Sequence, residues 1–245
     1  MKFYLDISAK VLSKKFLYSV PILVVVFNFV LRLFPDTFFE DYGLLEGSVP
    51  GTIIVPKELF GYCDVYLLLL FIIIVYFALG LDFTNSMEDV TLIAGGSKLN
   101  MFMLRKFFSL LCIYVPLYII TYINVYSIYL SRLKYRADAM PLKQVIFYSV
   151  TANVFIIAMS LFILFLTREV TVSTVIIVSY YLIEEYLLRA KVMGVKGVIG
   201  QVYDYFEPSR MNIDTYKIWY IAASVPLFFL AAKLCSKKYI FFKLK

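Results

Sequence analysis

Long apolar runs, separated by short polar segments, dominate the pattern of this 245-residue chain. The apolar residues are gathered into these runs rather than dispersed, and several runs reach the roughly 20 residues that cross a bilayer core as a helix. Because backbone polar groups in lipid must be satisfied within the segment, we interpret the runs as transmembrane helices. The predicted spans cover residues 16–34, 65–81, 107–130, 145–167, 170–188 and 217–235.

The N-terminal residues 1–15 have a different pattern, with four lysines among apolar positions that recur near helical spacing. This pattern predicts a short helix lying in the membrane interface. The run that follows resembles a signal peptide, but it is long and lacks a small-residue cleavage site before Arg32 and Pro35, so we retain it as a helix.

The fourth and fifth runs are separated only by a short turn around Arg168, which predicts an antiparallel hairpin. No internal repeat, linker or soluble segment interrupts the pattern. The sequence therefore predicts an all-α, polytopic integral membrane protein of about six transmembrane helices with an N-terminal interfacial helix. Residues 1–245 form a single transmembrane domain in this prediction.

The placement of Lys and Arg orients the predicted helices. Both termini are basic, and the 35–64 loop is acidic, so we expect both termini in the cytoplasm and a multi-pass protein of the cell membrane. The basic loop at 131–144 would then be external, which opposes this orientation. The acidic residues counted in the 35–64 loop are Asp36, Glu40, Asp41, Glu46, Glu58 and Asp64.

Composition narrows the chemistry that the chain can perform. It has no histidine, the commonest general base and metal ligand. The cysteines, Cys63, Cys112 and Cys235, are far apart and predict neither a disulfide framework nor a metal site. The net charge of +7 is interpreted as loop charge that orients helices rather than as a nucleic-acid surface. We expect no enzyme activity, no cofactor and no nucleic-acid partner.

The loop between the second and third spans, residues 81–107, is the most informative polar segment. An acidic pair precedes a short apolar stretch, a glycine break and a basic entry into the third span. Asn85 or Ser86 can cap a helix whose first turn holds the acidic pair. The segment suits docking to a soluble motor, and an ordinary loop with basic residues at the headgroups remains the alternative. The candidate coupling residues are Glu88, Asp89, Gly95, Gly96 and Lys98.

This layout resembles the ABC-2 type permeases, the membrane subunits of ATP-binding-cassette exporters. The resemblance covers the whole chain in layout, and in motif it covers Glu88, Leu92-Ile93, Gly95-Gly96-Ser97 and Arg105-Lys106. The family's Gly-Thr after the acidic residue is absent, since Asp89-Val90-Thr91 stands there. The resemblance implies re-entrant half-helices at 189–216, a second permease subunit and, because the chain has no Walker A sequence, a separate ATPase subunit.

A second motif points to a different class of protein. Glu184-Glu185-Tyr186-Leu187-Leu188-Arg189 resembles the first motif of the CAAX-protease family of intramembrane enzymes, but the histidines that those enzymes need are missing. We favour an interfacial position for Glu184 and Glu185, at the end of a fifth span that stops near Ile183. A histidine-free relative of these proteases and a membrane immunity or scaffold protein remain the alternative functions.

Tyrosines recur at steps of four residues along the third span, which keeps them near one face of a helix. They are either the wall of a pathway for an amphipathic substrate or packing and interfacial aromatics. The candidate pathway residues are Tyr114, Tyr118, Tyr122, Tyr126 and Asn124. The sequence thus predicts a permease subunit that moves a peptide, a lipid-linked sugar or a drug, embedded in membrane lipid.

Overall fold

The computed structural model is all-α. It describes residues 14–39, 53–84, 97–133, 135–189 and 213–236, together with residues 3, 4, 8 and 198. Within these ranges no strand forms, and the one β-bridge joins Ile54 to Ala139.

The described ranges fold into a helical bundle. The helices are α1 (Lys14–Leu33), α2 (Pro35–Phe38), α3 (Lys57–Leu59), a π-helix (Phe60–Leu67), α4 (Leu68–Thr84), α5 (Ser97–Arg132), α6 (Leu142–Thr167), α7 (Val170–Arg189) and α8 (Ile213–Ser236). A 3₁₀ turn, Arg136–Asp138, precedes α6. The segment α3–π-helix–α4 runs without interruption.

Four helical segments are long and apolar enough to cross a membrane: Lys57–Phe83, Met101–Arg132, Leu142–Thr167 and Asp214–Cys235. Two shorter apolar helices, Tyr18–Leu33 and Val170–Glu184, occupy the first and fifth predicted spans. The second and third helices begin earlier than predicted, at Lys57 and Ser97. Hydropathy marks the apolar part of a helix, whereas hydrogen bonding continues into its polar ends.

Large apolar side chains cover much of the outer surface of the bundle. In the last apolar segment, Asp214–Cys235, only 17% of the most apolar stretch is buried inside the bundle. Helix α1 likewise exposes most of its apolar residues. Soluble monomers rarely expose continuous apolar surface on this scale, so the surface suits a hydrocarbon environment. The exposed residues of α1 include Tyr18, Ile22, Leu23, Val25, Val26, Phe29 and Leu33.

Helices α6 and α7 are joined by Arg168 and Glu169 alone. Arg168 adopts the left-handed conformation, with φ of 54°, and its backbone N–H donates to the Leu164 carbonyl at 2.8 Å, which closes the end of α6. Gly80 lies against the start of α7, where an added methyl group would collide with Val170. Glycine therefore permits α4 to approach the hairpin closely, as small residues do between membrane helices.

The connections that the structure describes fall at two ends of the bundle. At one end the segment before α3 meets the turn before α6, because the Ile54 N–H donates to the Asp138 carbonyl at 2.8 Å. At the other end Arg168 donates to the Leu234 carbonyl at 3.0 Å and lies over the Phe83 ring. Segments predicted to be external thus meet at one end, and segments predicted to be cytoplasmic meet at the other.

Most residues of the predicted interfacial helix and of the predicted re-entrant segment, 1–15 and 189–216, lie outside the described ranges. From the N-terminal segment, Tyr4 contacts α5, where its ring packs against Phe102 and its hydroxyl accepts a hydrogen bond from Arg105 at 3.2 Å.

Candidate functional site

A buried carboxylate, Asp64, lies in the π-helix between α3 and α4 and is only 1% exposed. The sequence interpretation counted Asp64 with the acidic 35–64 loop, whereas the structure places it within a helix. The helix begins at Lys57, so Asp64 lies about two turns inside it. π-helical segments are rare and frequently occur at functional sites.

Three hydrogen bonds converge on Oδ1 of Asp64 from two other helices. The Ser149 hydroxyl donates at 2.5 Å, the Asn153 amide at 2.6 Å and the Tyr118 hydroxyl at 3.1 Å. The Tyr118 and Ser149 hydroxyl oxygens also lie within hydrogen-bond distance of each other, so either hydroxyl can donate its single proton to the other instead of to Asp64. Donors aimed at one oxygen are the arrangement that an acceptor-only carboxylate requires when it is taken out of water.

The network continues along α5 through Tyr114. Its hydroxyl donates to Oδ1 of Asn153 at 2.7 Å, and its ring stacks on Phe71 of α4 with centroids 4.2 Å apart. Asn153 therefore connects Tyr114 to Asp64 through both ends of its amide. From α7, the Tyr181 hydroxyl reaches the backbone carbonyl of Asp64 at 3.5 Å.

A buried cation, Lys217 of α8, completes the charges near Asp64. It is 0% exposed, its ammonium donates to the Val198 carbonyl at 3.0 Å, and it lies 5.6 Å from the centroid of the Tyr220 ring. The charge of Lys217 interacts with the carboxylates of both Asp64 and Glu184. Lys217, Asp64 and Glu184 are therefore buried charges on three different helical segments.

Glu184 lies at the end of the apolar part of the fifth helix, Val170–Glu184, and the helix itself continues to Arg189. The Glu184 side chain is 6% exposed, so other parts of the bundle cover it. Glu184 lies one turn after Tyr180 on the same helix, and its charge interacts with the charge of Lys217. A buried cation on α8 keeps this carboxylate from facing apolar side chains alone.

The tyrosine face of α5 divides into two parts. Tyr114 and Tyr118 belong to the Asp64 network, whereas Tyr122 and Tyr126 line a surface groove near the end of α5. The buried Tyr122 hydroxyl bonds no partner among the described residues, and Tyr126 donates to the Met140 carbonyl at 3.4 Å.

Asn124, the remaining candidate pathway residue, faces α1 rather than the network. Its amide donates to the Asn28 backbone carbonyl at 2.9 Å and to Oδ1 of Asn28 at 3.2 Å. Asn28 in turn donates to the Thr121 hydroxyl at 2.8 Å. These bonds fix α1 against α5, as amides commonly do between membrane helices.

The predicted coupling residues Glu88, Asp89, Gly95 and Gly96 lie outside the described residues, and Lys98 lies in the first turn of α5. At the base of this segment, Lys106 is buried. Its ammonium donates to Oδ2 of Asp82 at 2.7 Å and to the Ala78 carbonyl at 2.5 Å. Lys106 is therefore not the loop charge that we expected but half of a buried ion pair joining α4 to α5.

No group of three or more His, Cys, Asp or Glu side chains in the described part of the chain is placed to hold a metal ion. The Asp64 network instead offers one carboxylate, hydroxyls, an amide and a nearby ammonium. This set can bind a polar or charged group through hydrogen bonds, and its members lie on four different helical segments.

Tyr118 and Tyr122 should respond differently to loss of the hydroxyl. We expect Tyr118→Phe to lower the free energy of unfolding by about 0.6–1.7 kcal/mol, the average and upper values for polar contacts between membrane helices. Tyr122→Phe should cost less than Tyr118→Phe or stabilise the protein, because its hydroxyl is buried without a described partner. Unfolding in mixed micelles measures both, and equal losses would contradict the network assignment.

Comparisons with models of known families, with curated proteins and with solved structures find no match to this chain.

Proposed function

We propose that this chain is the membrane-spanning permease subunit of an ABC exporter, powered by a separate ATPase subunit. The observation that carries the proposal is the buried network of Asp64 and Lys217 inside a bundle with an apolar outer surface. Ionisable side chains inside a membrane are costly and usually line a pathway for an ion or substrate.

The distribution of the network over several helices supports a role in transport. Asp64 belongs to the π-helix, Tyr118 to α5, Ser149 and Asn153 to α6, and Lys217 to α8. Any movement of one helix against the others must exchange these hydrogen bonds for bonds to water or to a substrate, since an unpaired buried charge is unfavourable. Such an exchange gives the bundle two discrete arrangements, as alternating access requires.

The energy source in this proposal is a separate polypeptide, because the sequence contains no Walker A phosphate loop. The ATPase would contact the segment between α4 and α5, with Glu88 and Asp89 at its start. The Asp82–Lys106 ion pair connects α4 and α5, the helices on either side of that segment. A movement of the segment would therefore displace both helices together.

We further propose how the subunit is placed in the membrane and assembled. The chain spans the cell membrane six times, with both termini in the cytoplasm, and two permease subunits enclose one pathway. The weakly buried apolar faces of α1 and α8 leave surface for that second subunit as well as for lipid. The aromatic side chains of α5 favour an amphipathic substrate.

Purification from native membranes in mild detergent tests the proposal. We expect an ATP-binding-cassette ATPase to copurify, and reversal of both charges by Glu88→Lys and Asp89→Lys should abolish substrate-stimulated ATP hydrolysis without lowering the amount of permease in the membrane. Glu169→Lys is the matched control, because it reverses an exposed charge in a turn at the same end of the bundle.

Other outcomes would favour the rival functions. Copurification of a protein without nucleotide-binding activity would favour a scaffold or immunity role, and unchanged hydrolysis in the charge-reversed variant would overturn the coupling role. Loss of a defined peptide-cleavage product on Glu184→Gln would favour the protease relative.

A further inference from the structure

A groove of about 500 Å³ lies at the end of α5, on the side of the turn that leads to α6. Its wall combines polar and apolar side chains in one surface. The polar part is formed by Ser127, Ser131 and Arg136, and the apolar part by Ile123, Leu130 and Leu142. The groove is separate from the Asp64 network, since no residue that bonds the Asp64 carboxylate lines it.

Two guanidinium groups give this groove a positive charge. Arg136 lines it, is exposed, and makes no side-chain hydrogen bond or ion pair with another described residue. Arg32 of α1 donates to the Ser127 hydroxyl at 3.0 Å and so reaches the same wall. The neighbouring Arg132, by contrast, is paired with Asp36. The groove is therefore complementary to an anion.

Exposed apolar side chains continue from the charged part of the groove along the bundle. Ile123 is 64% exposed, Leu142 is 45% exposed, and Phe29 of α1 is 63% exposed. An occupant that matches both parts has an anionic group at one end and a hydrocarbon chain at the other. Within a membrane, that is the chemistry of an acidic phospholipid.

We propose that this groove binds one acidic phospholipid of the bilayer. The phosphate lies between Arg32 and Arg136, with the serine hydroxyls as further donors, and an acyl chain lies along Ile123 and Leu130. Guanidinium is well suited to this task, because its fork of donors matches two phosphate oxygens. Bound in this way, the lipid links α1 to the end of α5. The inference rests on the membrane placement in the proposed function but not on transport.

Lipid binding to the purified, full-length protein tests this site. Native mass spectrometry would count bound dihexanoyl phosphatidylglycerol and dihexanoyl phosphatidylcholine, two short-chain lipids that differ in headgroup charge. We expect the acidic lipid to bind more tightly, and Arg136→Gln to weaken its binding by about fivefold. The affinity of Arg136→Lys for the acidic lipid should lie between those of the unsubstituted protein and Arg136→Gln, because lysine keeps the charge but lacks the paired donors of the guanidinium group. Lys143→Gln is the control, since it removes an exposed charge that does not line the groove.

Three outcomes would decide against the site, and a fourth would bear only on the proposed transport function. Equal binding of the two lipids, or an Arg136→Gln variant that binds the acidic lipid as well as the control does, would overturn the proposal. Displacement of the acidic lipid by an equal concentration of inorganic phosphate would show a site for free anions instead. Binding that survives in a protein without transport activity would leave the lipid site standing and overturn only the proposed transport function.

Discussion

Replacement of Asp64 by asparagine is expected to lower the free energy of unfolding by about 3 kcal/mol and to abolish transport. The substitution keeps the shape of the side chain but removes the charge that Lys217 faces and on which Ser149, Asn153 and Tyr118 converge. One amide oxygen cannot replace a carboxylate, and the new NH₂ group is a donor among donors. Unfolding in mixed micelles and transport in proteoliposomes measure the two losses.

The control for this substitution is Asp36→Asn, which also removes one carboxylate paired to a basic side chain. Asp36 is 85% exposed in its pair with Arg132, so we expect a loss of no more than about 1 kcal/mol and unchanged transport. Should Asp64→Asn behave like this control in both measurements, the buried network would have neither the structural nor the functional importance assigned to it.

The second large effect concerns the ion pair between α4 and α5. Lys106→Met alone leaves Asp82 buried without its cation and should lower the free energy of unfolding by about 3–5 kcal/mol. The double variant Asp82→Leu/Lys106→Met should recover most of that loss, because apolar side chains replace both charges together. A double-mutant cycle of the unfolding free energies measures the coupling between them.

In the double variant we expect transport to be impaired although stability is largely recovered. If the pair carries motion from the segment between α4 and α5 into the bundle, the double variant will fold but transport fewer substrate molecules per ATP hydrolysed. Losses that simply add in the cycle would show that the two side chains do not stabilise each other, and an unchanged ratio of transport to hydrolysis would remove the pair from the coupling route.

The sequence predicted the positions of the helices better than the positions of the charges. Each predicted span coincides with a helix, because long apolar runs leave few other structures that satisfy the backbone. The two-residue turn at Arg168 was also visible, since two apolar runs flank a single polar break. Helix ends were less accurate, since polar residues such as Lys98 continue a helix beyond its apolar part.

Asp64 was missed because the predicted span began one residue after it. A sign was present in the sequence, since Leu59, Phe60 and Tyr62 precede Asp64 with little polarity between them. An acidic residue inside such a run is a functional candidate by default. The π-helix, and the convergence of Ser149 and Asn153 on one oxygen, depend on how helices pack, which one sequence does not reveal.

The buried pair of Asp82 and Lys106 shows the same limit. Both residues flank a polar loop and carry charges of the kind that loops usually expose. Their pairing requires α4 and α5 to lie side by side at that level, which is a property of tertiary structure. The tyrosine face of α5 was found from its spacing, but its division between the network and the groove depends on the elements that pack against it.

The accessibility of position 118 tests the central claim most directly. In a protein with Cys112 replaced by serine, Tyr118→Cys and Ile123→Cys would be treated with a charged, water-soluble thiol reagent and with a lipid-soluble one. With the copurified ATPase and ATP, we predict that the charged reagent labels position 118 faster than without ATP, because opening the pathway admits water to the network. Position 123, exposed on the apolar surface, should react mainly with the lipid-soluble reagent. Labelling of position 118 by the lipid-soluble reagent alone, or no change in its labelling with ATP, would contradict the account.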